Sequence, residues 1–349
     1  MRIDDVCRRL RDAGAKPCHE ARVLRAWAQG GALDDGDANR QYAAPKDVRA
    51  ELPALEADLR GLVRLCSEHA SEDGSARWLL ELADGQTVES VLLPRGGLCV
   101  SSQVGCAVGC AFCMTGRDGL RRQLGSAEIV AQVALARLRR PVKKVVFMGM
   151  GEPSHNMDNV LDAIQLLGHH GDIGHKNLVF STVGDRRVFE RLPRASVKPA
   201  LALSLHSTRA ELRAQLMPHA PRIEPAELVE LAEAYARATG YPIQYQWTLL
   251  EGVNDGDEEL ETLVRLLAGK YAVMNFIPYN EIDSAAFRRP SAERAAAMSR
   301  HLHRHGILAK LRQSAGQDVA GGCGQLRARA EARSRKSDIL ARPDSTAEN

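Results

Sequence analysis

The sequence predicts an α/β protein: a partial (β/α)6 barrel with a small helical N-terminal domain. Strand-like apolar runs alternate with amphipathic helical stretches from about residue 97 onward, a pattern typical of a parallel sheet. The six or so strand–helix units are too few for a closed eight-stranded barrel, so the sheet is expected to stay open. Residues 1–75 differ, because their apolar residues recur at helical spacing.

Composition is that of an ordinary globular protein. The chain has 349 residues, of which 44% are hydrophobic and 26% charged, enough for a sizeable core. The net charge of +3 is too small to indicate nucleic-acid binding by itself. The sequence has neither a membrane-length apolar run nor a signal-peptide pattern after Met1, so we expect a cytoplasmic protein that binds no membrane.

The elements follow in order along the chain. A helix is predicted around Leu52–Val63, and a β-hairpin over 77–94, with its turn at Ala83-Asp84-Gly85. The later strands are predicted at 97–104, 143–149, 177–183, 199–206, 243–250, 272–278 and 307–313. Helices are predicted between them, for example at 126–138 and 227–238. We therefore expect an accessory domain over 1–75, a catalytic domain over 76–326 and a basic tail over 327–349, with the site at the carboxyl ends of the strands.

Cysteines are the most informative residues of the composition. Four of the eight lie between positions 99 and 113, and a disulfide framework does not fit a cytosolic chain of this size. Cys106, Cys110 and Cys113 form a compact CxxxCxxC spacing after a predicted strand, which can wrap one metal centre. Three thiolates are one short of the usual four, so either a distant residue completes a zinc site or an iron stays open for a ligand.

The open-iron alternative is favoured by the context of the three cysteines. Phe112 stands just before the third cysteine, and the loop follows the first strand of the barrel, as in the radical S-adenosylmethionine (SAM) signature. An iron of a [4Fe–4S] cluster that lacks a protein ligand can bind the amino and carboxylate groups of SAM and reduce its sulfonium. The product is a 5′-deoxyadenosyl radical, which side chains cannot generate unaided.

Further motifs strengthen this resemblance. Together they resemble the RlmN/Cfr family of radical SAM RNA methyltransferases, from about Val88 to Leu326. The matching segments, in the family's order, are Gln103–Cys106, Cys113–Gly116, Phe147–Pro153, Ser181–Gly184, Leu203–His206, Leu216–Pro218, Ile277–Asn280 and Gly322–Leu326.

The resemblance implies methylation of an adenosine ring carbon in RNA. The family modifies C2 in RlmN and C8 in Cfr, and we expect C2 methylation of adenosine in 23S rRNA and/or tRNA. C8 methylation and another RNA target remain open. A zinc-stabilised RNA-binding module without catalysis is the alternative from a different class, and it would be colourless rather than brown and oxygen-sensitive.

The resemblance also assigns catalytic roles. Cys323, in a glycine-rich loop, matches the cysteine that carries the methyl group, and Cys99 matches the resolving cysteine that forms a transient disulfide with it. Glu89 matches the proton acceptor, since the ring hydrogen must leave as a proton. From spacing alone, these residues would be an incidental thiol, a small apolar strand residue and an outward-facing glutamate.

Cofactor and partner residues follow in the same way. The cluster ligands would be Cys106, Cys110 and Cys113, and two SAM molecules would be used per turnover. The SAM-binding residues would be Gly151, Glu152, Ser181, Ser204, Leu205, His206 and Asn280, which end successive predicted strands. The expected partners are RNA, held in part by the accessory domain, and an electron donor such as flavodoxin or ferredoxin. We expect a monomer.

Basic residues are candidates for phosphate contacts, although most charge runs form solvated faces. They are Arg117, Arg121, Arg122, Arg137, Arg139, Arg140, Lys143 and Lys144, followed by Arg327, Arg329, Arg333, Arg335 and Lys336.

The chain departs from the family pattern at a few positions. Glu281–Ser284 stands where the family has Pro-Phe-Pro-Gly, Val183 replaces a serine, and Met114 replaces a small residue. These changes leave the radical machinery intact and leave the RNA target and the attacked carbon open.

Overall fold

A computed structural model describes residues 1–33, 44–282 and 286–328. The chain begins with three helices: α1 (Ile3–Asp12), α2 (Pro17–Ala28) and α3 (Lys46–Gly61). Their buried faces carry residues at helical spacing, such as Val48, Leu52, Leu55 and Leu59 on α3. Of the predicted basic tail, only residues 327 and 328 lie within the described part of the chain.

Three antiparallel strands follow the helices. They are β1 (Val63–Ala70), β2 (Ala76–Leu82) and β3 (Thr87–Leu93), paired in the order β1-β2-β3. The predicted hairpin corresponds to β2 and β3. Strand β1 was not predicted, because only its first residue is fully buried, and the other seven alternate between half-buried and exposed. Its weak apolar pattern does not distinguish it from the helical stretch that precedes it.

A parallel sheet continues from β3 and forms the open barrel. Its strands are β4 (Gly97–Cys99), β7 (Lys144–Phe147), β8 (Leu178–Thr182), β9 (Ala200–Ser204), β10 (Ile243–Leu249), β11 (Ala272–Pro278) and β12 (Ala309–Leu311). They lie side by side in this order, each parallel to its neighbour, and β3 extends the sheet antiparallel to β4. This architecture confirms the predicted α/β partial barrel.

A two-stranded hairpin, β5 (Gln103–Gly105) with β6 (Leu120–Gln123), stands apart from the large sheet and carries the cysteine loop. The predicted strand 97–104 is therefore divided between two sheets. The remaining helices are α4 (Ser126–Arg137), α5 (Met157–His169), α6 (Arg186–Arg191), α7 (Ala210–Leu216), α8 (Pro225–Thr239), α9 (Asp257–Leu267) and α10 (Ala292–Arg304).

Two apolar clusters form the interior. The larger one is continuous from the N-terminal helices to the barrel and includes Trp27, Trp78 and Trp247. A smaller cluster surrounds the cysteine loop and includes Phe112 and Met217. In the described part of the chain, every helix is too short or too polar to span a lipid bilayer.

Candidate active site

The cysteine loop is a compact turn between β5 and β6. The Cys106 N–H donates to the Gly119 carbonyl at 3.0 Å, and the Cys113 N–H donates to the Cys110 carbonyl at 3.0 Å. The Ala111 N–H donates to the carbonyl of Leu216 at 2.9 Å, which ties the loop to the end of α7. All three cysteines are partly buried against the smaller apolar cluster.

The three thiols are suited to a shared iron site. Burial raises the pKa of Cys106 to about 12, and the charge of Cys113 adds to this effect. The pKa of Cys110 is raised well above its usual value by burial and by the charges of Cys113 and Cys106. Negative charges brought together in apolar surroundings are stabilised by a metal, which binds thiols as thiolates. The residues present therefore fit an iron–sulfur cluster with three protein ligands.

Among the described residues, no three His, Cys, Asp or Glu side chains are arranged so that they could hold a single metal ion.

The second barrel strand, β7, leads into the Gly151–Glu152 turn. Gly151 has φ 109°, and a Cβ atom there would lie 2.7 Å from the Gln103 side chain, so the turn requires glycine. Glu152 is 5% exposed, and its carboxylate accepts N–H bonds from Ser154 and Val183, each at 3.0 Å. Burial raises the pKa of Glu152. An ammonium group placed against this carboxylate would compensate the cost of burying its charge.

His206 packs against Phe112, the residue before the third cysteine. It has φ 60°, a left-handed conformation that is uncommon for residues other than glycine. Its Nδ1 accepts the Thr248 N–H at 2.9 Å, and its ring lies 4.7 Å from the ring of Phe112. Burial and the charge of Arg213 lower the pKa of His206 to about 3, so the imidazole is neutral. The backbone strain is located at a predicted binding residue, as functional strain often is.

The other predicted SAM-binding residues occupy the ends of neighbouring strands. Ser181 and Ser204 are half-buried at the ends of β8 and β9, and Leu205 is fully buried. Asn280 differs, because its amide donates to the Cys323 carbonyl at 3.0 Å and to the Ser314 hydroxyl at 2.8 Å. The structure thus connects Asn280 to the loop that carries the methyl-carrier candidate.

Cys99 and Cys323 come from distant parts of the sequence, and the charge of Cys323 acts on the Cys99 thiol. Cys99 is buried at the end of β4, where burial and the charge of Cys323 raise its pKa to about 12. Cys323 is exposed as a residue, while desolvation of its thiol and the charge of Cys113 raise its pKa to about 11. Each thiol thus lies within electrostatic range of another cysteine of the site.

Glu89 is buried in β3, and both oxygens of its carboxylate have hydrogen-bond partners. One carboxylate oxygen is paired with Arg77 Nη1. The other accepts the backbone N–H groups of Arg327 at 2.7 Å and Ala328 at 2.9 Å. The structure contradicts the simple alternative of an outward-facing strand glutamate, because Glu89 is only 1% exposed.

Several supporting residues could not be found by sequence reasoning. Arg213 is 3% exposed, and its guanidinium donates to the Val183 carbonyl beside the Glu152 site. The Asn254 amide donates to the carbonyls of His206 and Thr248 and thereby supports the strained histidine. Arg213 lies close to the matched segment Leu216–Pro218, whereas no sequence motif pointed to Asn254.

Basic residues separate into engaged and exposed groups. Arg122 is paired with Glu128 and Asp84, and Arg137 donates to the carbonyls of Ala28 and Val142, so both have structural roles. Exposed candidates for phosphate contacts are Arg117, Arg121, Arg139, Lys143 and Lys144. Arg329, Arg333, Arg335 and Lys336 lie outside the described residues.

Known proteins match this architecture closely. Residues 100–267 match the radical SAM superfamily. A solved radical SAM methyltransferase from Sphaerobacter thermophilus is similar, with a TM-score of 0.80 and 35% identity, covering 94% of this chain and 98% of that one. The chain belongs to the radical SAM methyltransferases. It is also similar to proteins named probable RNA methyltransferase.

Two of these relatives align with nearly the whole length of this radical SAM methyltransferase. The protein from Aromatoleum aromaticum is 75% identical, covering 94% of this chain and 93% of its own. The protein from Pseudomonas aeruginosa is 68% identical, covering 95% and 96%. This confirms the resemblance at the level of a radical SAM RNA methyltransferase family, whose members use a [4Fe–4S] cluster and SAM.

Only some of the candidate site residues of this radical SAM methyltransferase lie within the range that matches the superfamily. The cluster cysteines, Glu152 and His206 lie within residues 100–267, which form the shared radical-generating part. Glu89, Cys99, Asn280 and Cys323 lie outside it. The residues predicted to carry the methyl group, accept the ring proton and release the product therefore all lie outside the part of the chain that matches the superfamily.

Proposed function

We propose that this chain methylates C2 of an adenosine in RNA, in 23S rRNA and/or tRNA, through a methyl group carried on Cys323. The observation that carries the proposal is the bond from the Met114 N–H to the Gly324 carbonyl at 2.7 Å, which holds the segment of Cys323 against the three-cysteine loop. The charge of Cys323 also contributes to the raised pKa of Cys99. A radical SAM enzyme that needed only its cluster would have no use for a second pair of neighbouring cysteines.

Chemical reactivity explains why such a pair is required. The adenine C2 carbon is electron-poor, so it cannot displace a sulfonium methyl group directly. The Cys323 thiolate can make that displacement and become S-methylated. When bound, the cluster and a second SAM would supply a 5′-deoxyadenosyl radical, and the methyl group on Cys323 would give up a hydrogen atom to it. The resulting methylene radical on Cys323 then adds to the ring carbon.

Release requires a base and a thiolate. Glu89 takes the ring proton, and one electron returns to the electron-donor pool, so that aromaticity is restored. The Cys99 thiolate then attacks the Cys323 sulfur, the sulfur–methylene bond breaks, and a solvent proton completes the new methyl group. A dithiol reductant must open the Cys99–Cys323 disulfide before the next turnover.

Binding roles complete the proposal. We assign Cys106, Cys110 and Cys113 to the cluster, with Glu152 against the SAM ammonium. Gly151, Ser181, Ser204, Leu205, His206 and Asn280 complete the proposed SAM site. Flavodoxin or ferredoxin would supply electrons, and the protein would act as a cytoplasmic monomer with an N-terminal domain that contacts RNA.

The test is anaerobic reconstitution with iron, sulfide and SAM, followed by nucleoside analysis of RNA from a strain lacking the gene. We expect 2-methyladenosine. The 8-methyl isomer would correct the attacked carbon, and the absence of any methylated adenosine would contradict the proposal.

Cys99→Ala separates addition from release. This variant is expected to accumulate protein crosslinked to RNA, seen as an RNase-sensitive band shift under denaturing conditions, whereas exposed Cys18→Ala serves as the control. Free release of methylated RNA by Cys99→Ala would remove the resolving role.

A further inference from the structure

Arg77 contacts both the proposed proton acceptor and the segment that leads to Cys323. It lies on β2, and its side chain is only 14% exposed. Its Nη1 pairs with Glu89 on the neighbouring strand β3, and its Nε donates to the Val319 carbonyl at 2.6 Å. One guanidinium therefore joins the acceptor carboxylate to the base of the Cys323 loop.

The two oxygens of the Glu89 carboxylate have different kinds of partner. Oε1 is held by Arg77, which belongs to the antiparallel strands. Within the described part of the chain, Oε2 accepts the backbone N–H groups of Arg327 and Ala328, which follow the Cys323 loop. Those two residues also line a cavity of about 360 Å³, together with Thr87 and Thr115. The partners of Oε2 therefore belong to the wall of an accessible space, whereas the partner of Oε1 is fixed in the sheet.

This difference matters for proton transfer. A carboxylate offers about four lone-pair sites, and both sites on Oε2 are occupied by N–H groups, so Oε2 must release a partner before it can accept a proton. A buried carboxylate that lost every partner would be strongly destabilised. The arrangement meets both requirements if the sheet-bound oxygen keeps its cation while the other oxygen changes partners.

We propose that Arg77 is a positioning residue for the proton transfer. It holds Glu89 through Oε1 while Oε2 releases the N–H groups of Arg327 and Ala328 and contacts the substrate instead. This inference rests on the proposed function. The ring proton moves to Oε2, and the electrons of its C–H bond remain in the ring. The planar guanidinium suits this role, because it fixes the direction of a carboxylate and stays charged.

Loop placement does not depend on Arg77 alone. The Gly316 N–H donates to Asp73 at 3.1 Å, the Met114 N–H donates to the Gly324 carbonyl at 2.7 Å, and Asn280 holds the Cys323 carbonyl. We therefore expect removal of the Arg77 charge to leave the methylation of Cys323 intact and to slow the later step on RNA.

The experiment compares Arg77→Met, Arg77→Gln and Arg77→Lys in the full-length, cluster-loaded enzyme. Two readouts are followed: the rate at which SAM methylates Cys323, measured by peptide mass, and kcat and KM for RNA. Arg77→Met is expected to lower kcat on RNA by about 10-fold or more, because general-base steps contribute factors of this size or larger. KM for RNA and Cys323 methylation should change less than about threefold, and Arg77→Lys should recover most of kcat.

A matched control is Arg64→Met. Arg64 also pairs with a glutamate, Glu81, across β1 and β2, but its side chain is 66% exposed. It should behave as the wild type. Arg77→Gln keeps a donor for Glu89 without the charge, so it gives the same readouts if Arg77→Met folds poorly, and it should resemble Arg77→Met in kcat.

Two results would overturn the proposal. The first is an equal loss of Cys323 methylation and RNA turnover in the Arg77 variants, because this would indicate structural support alone. The second is an Arg77→Lys variant no better than Arg77→Met. Full turnover by Glu89→Gln would instead remove the acceptor role from the proposed function, and that result is obtained independently of every Arg77 variant.

Discussion

The cofactor side and the carrier side of the site are built in different ways. On the cofactor side, buried side chains such as Glu152 and His206 bind backbone N–H groups of adjacent strands. On the carrier side, the exposed Cys323 lies in a segment held by bonds to its backbone, from Asn280, Met114 and Glu89.

The difference reflects two tasks. A cofactor site that must hold a radical precursor benefits from side chains whose positions are fixed before binding. A carrier that must meet SAM first and RNA later needs contacts that can be exchanged. Bonds to the backbone at a few points allow this exchange, because the buried side chains that make them keep another partner, Ser314 for Asn280 and Arg77 for Glu89.

The largest expected effect is on the carrier side. Cys323→Ala should abolish methylation of RNA, because the proposed route places the methyl group on the Cys323 sulfur before it reaches the ring. Liquid chromatography with mass detection of nucleosides measures the product. Cys18→Ala, an exposed cysteine on α2, should retain wild-type turnover. Methylated adenosine formed by Cys323→Ala at wild-type rates would show that the carrier has been misassigned.

The next largest effect is on the cofactor side. Glu152→Gln removes the negative charge and one acceptor for the Ser154 and Val183 N–H groups. Loss of a charged hydrogen bond costs about 1.5–3 kcal/mol, so KM for SAM should rise at least about 10-fold. Steady-state kinetics of 5′-deoxyadenosine formation measure this change, with the more exposed Glu81→Gln as the control. An unchanged KM would contradict the SAM contact.

A smaller effect is expected where the two sides meet. Asn280→Ala removes the bonds to the Cys323 carbonyl and the Ser314 hydroxyl. We expect Cys323 methylation to slow by about 3- to 10-fold, since one hydrogen bond contributes about 1 kcal/mol. Ser314→Ala keeps the bond to Cys323 and should have less effect. If both variants slowed the reaction equally, Asn280 would not be acting through the Cys323 backbone.

The smallest expected effect is on the pH dependence of the unfolding free energy. The pKa of His206 is about 3 in the folded protein against an ordinary value of 6.5, so the unfolded chain binds a proton that the folded chain does not. His206 therefore stabilises the fold above about pH 6.5, and this contribution is lost as the pH falls toward 3. Asn at this position tolerates the left-handed backbone and does not titrate.

The measurement is urea unfolding of the metal-free protein at several pH values. Between about pH 7 and pH 5, the unfolding free energy of the wild type should fall more steeply than that of His206→Asn, by up to about 1.4 kcal/mol per pH unit. Parallel profiles would mean that burial of the neutral imidazole does not contribute.

The sequence alone predicted more of the structure of the cofactor side than of the carrier side. Local patterns predicted the barrel strands and the cysteine spacing, because periodicity and spacing act over a few residues. They missed β1, whose side chains are largely half-buried or exposed. They also missed the Arg77–Glu89 pair and the bonds from residues 327 and 328 to Glu89. The bonds from residues 327 and 328 join segments more than 200 residues apart. The Arg77–Glu89 pair is local in sequence but depends on how β2 and β3 pair.

The most direct test of the account follows the hydrogens of the methyl group. The enzyme is freed of any bound methyl group and then supplied with SAM that carries a trideuterated methyl group, and the methyladenosine product is analysed by mass. The account predicts two deuterium atoms in the product, with the third in 5′-deoxyadenosine, because a hydrogen atom must leave the methyl group on Cys323 before it joins the ring. A product that kept all three deuterium atoms would mean direct methyl displacement and would contradict the account.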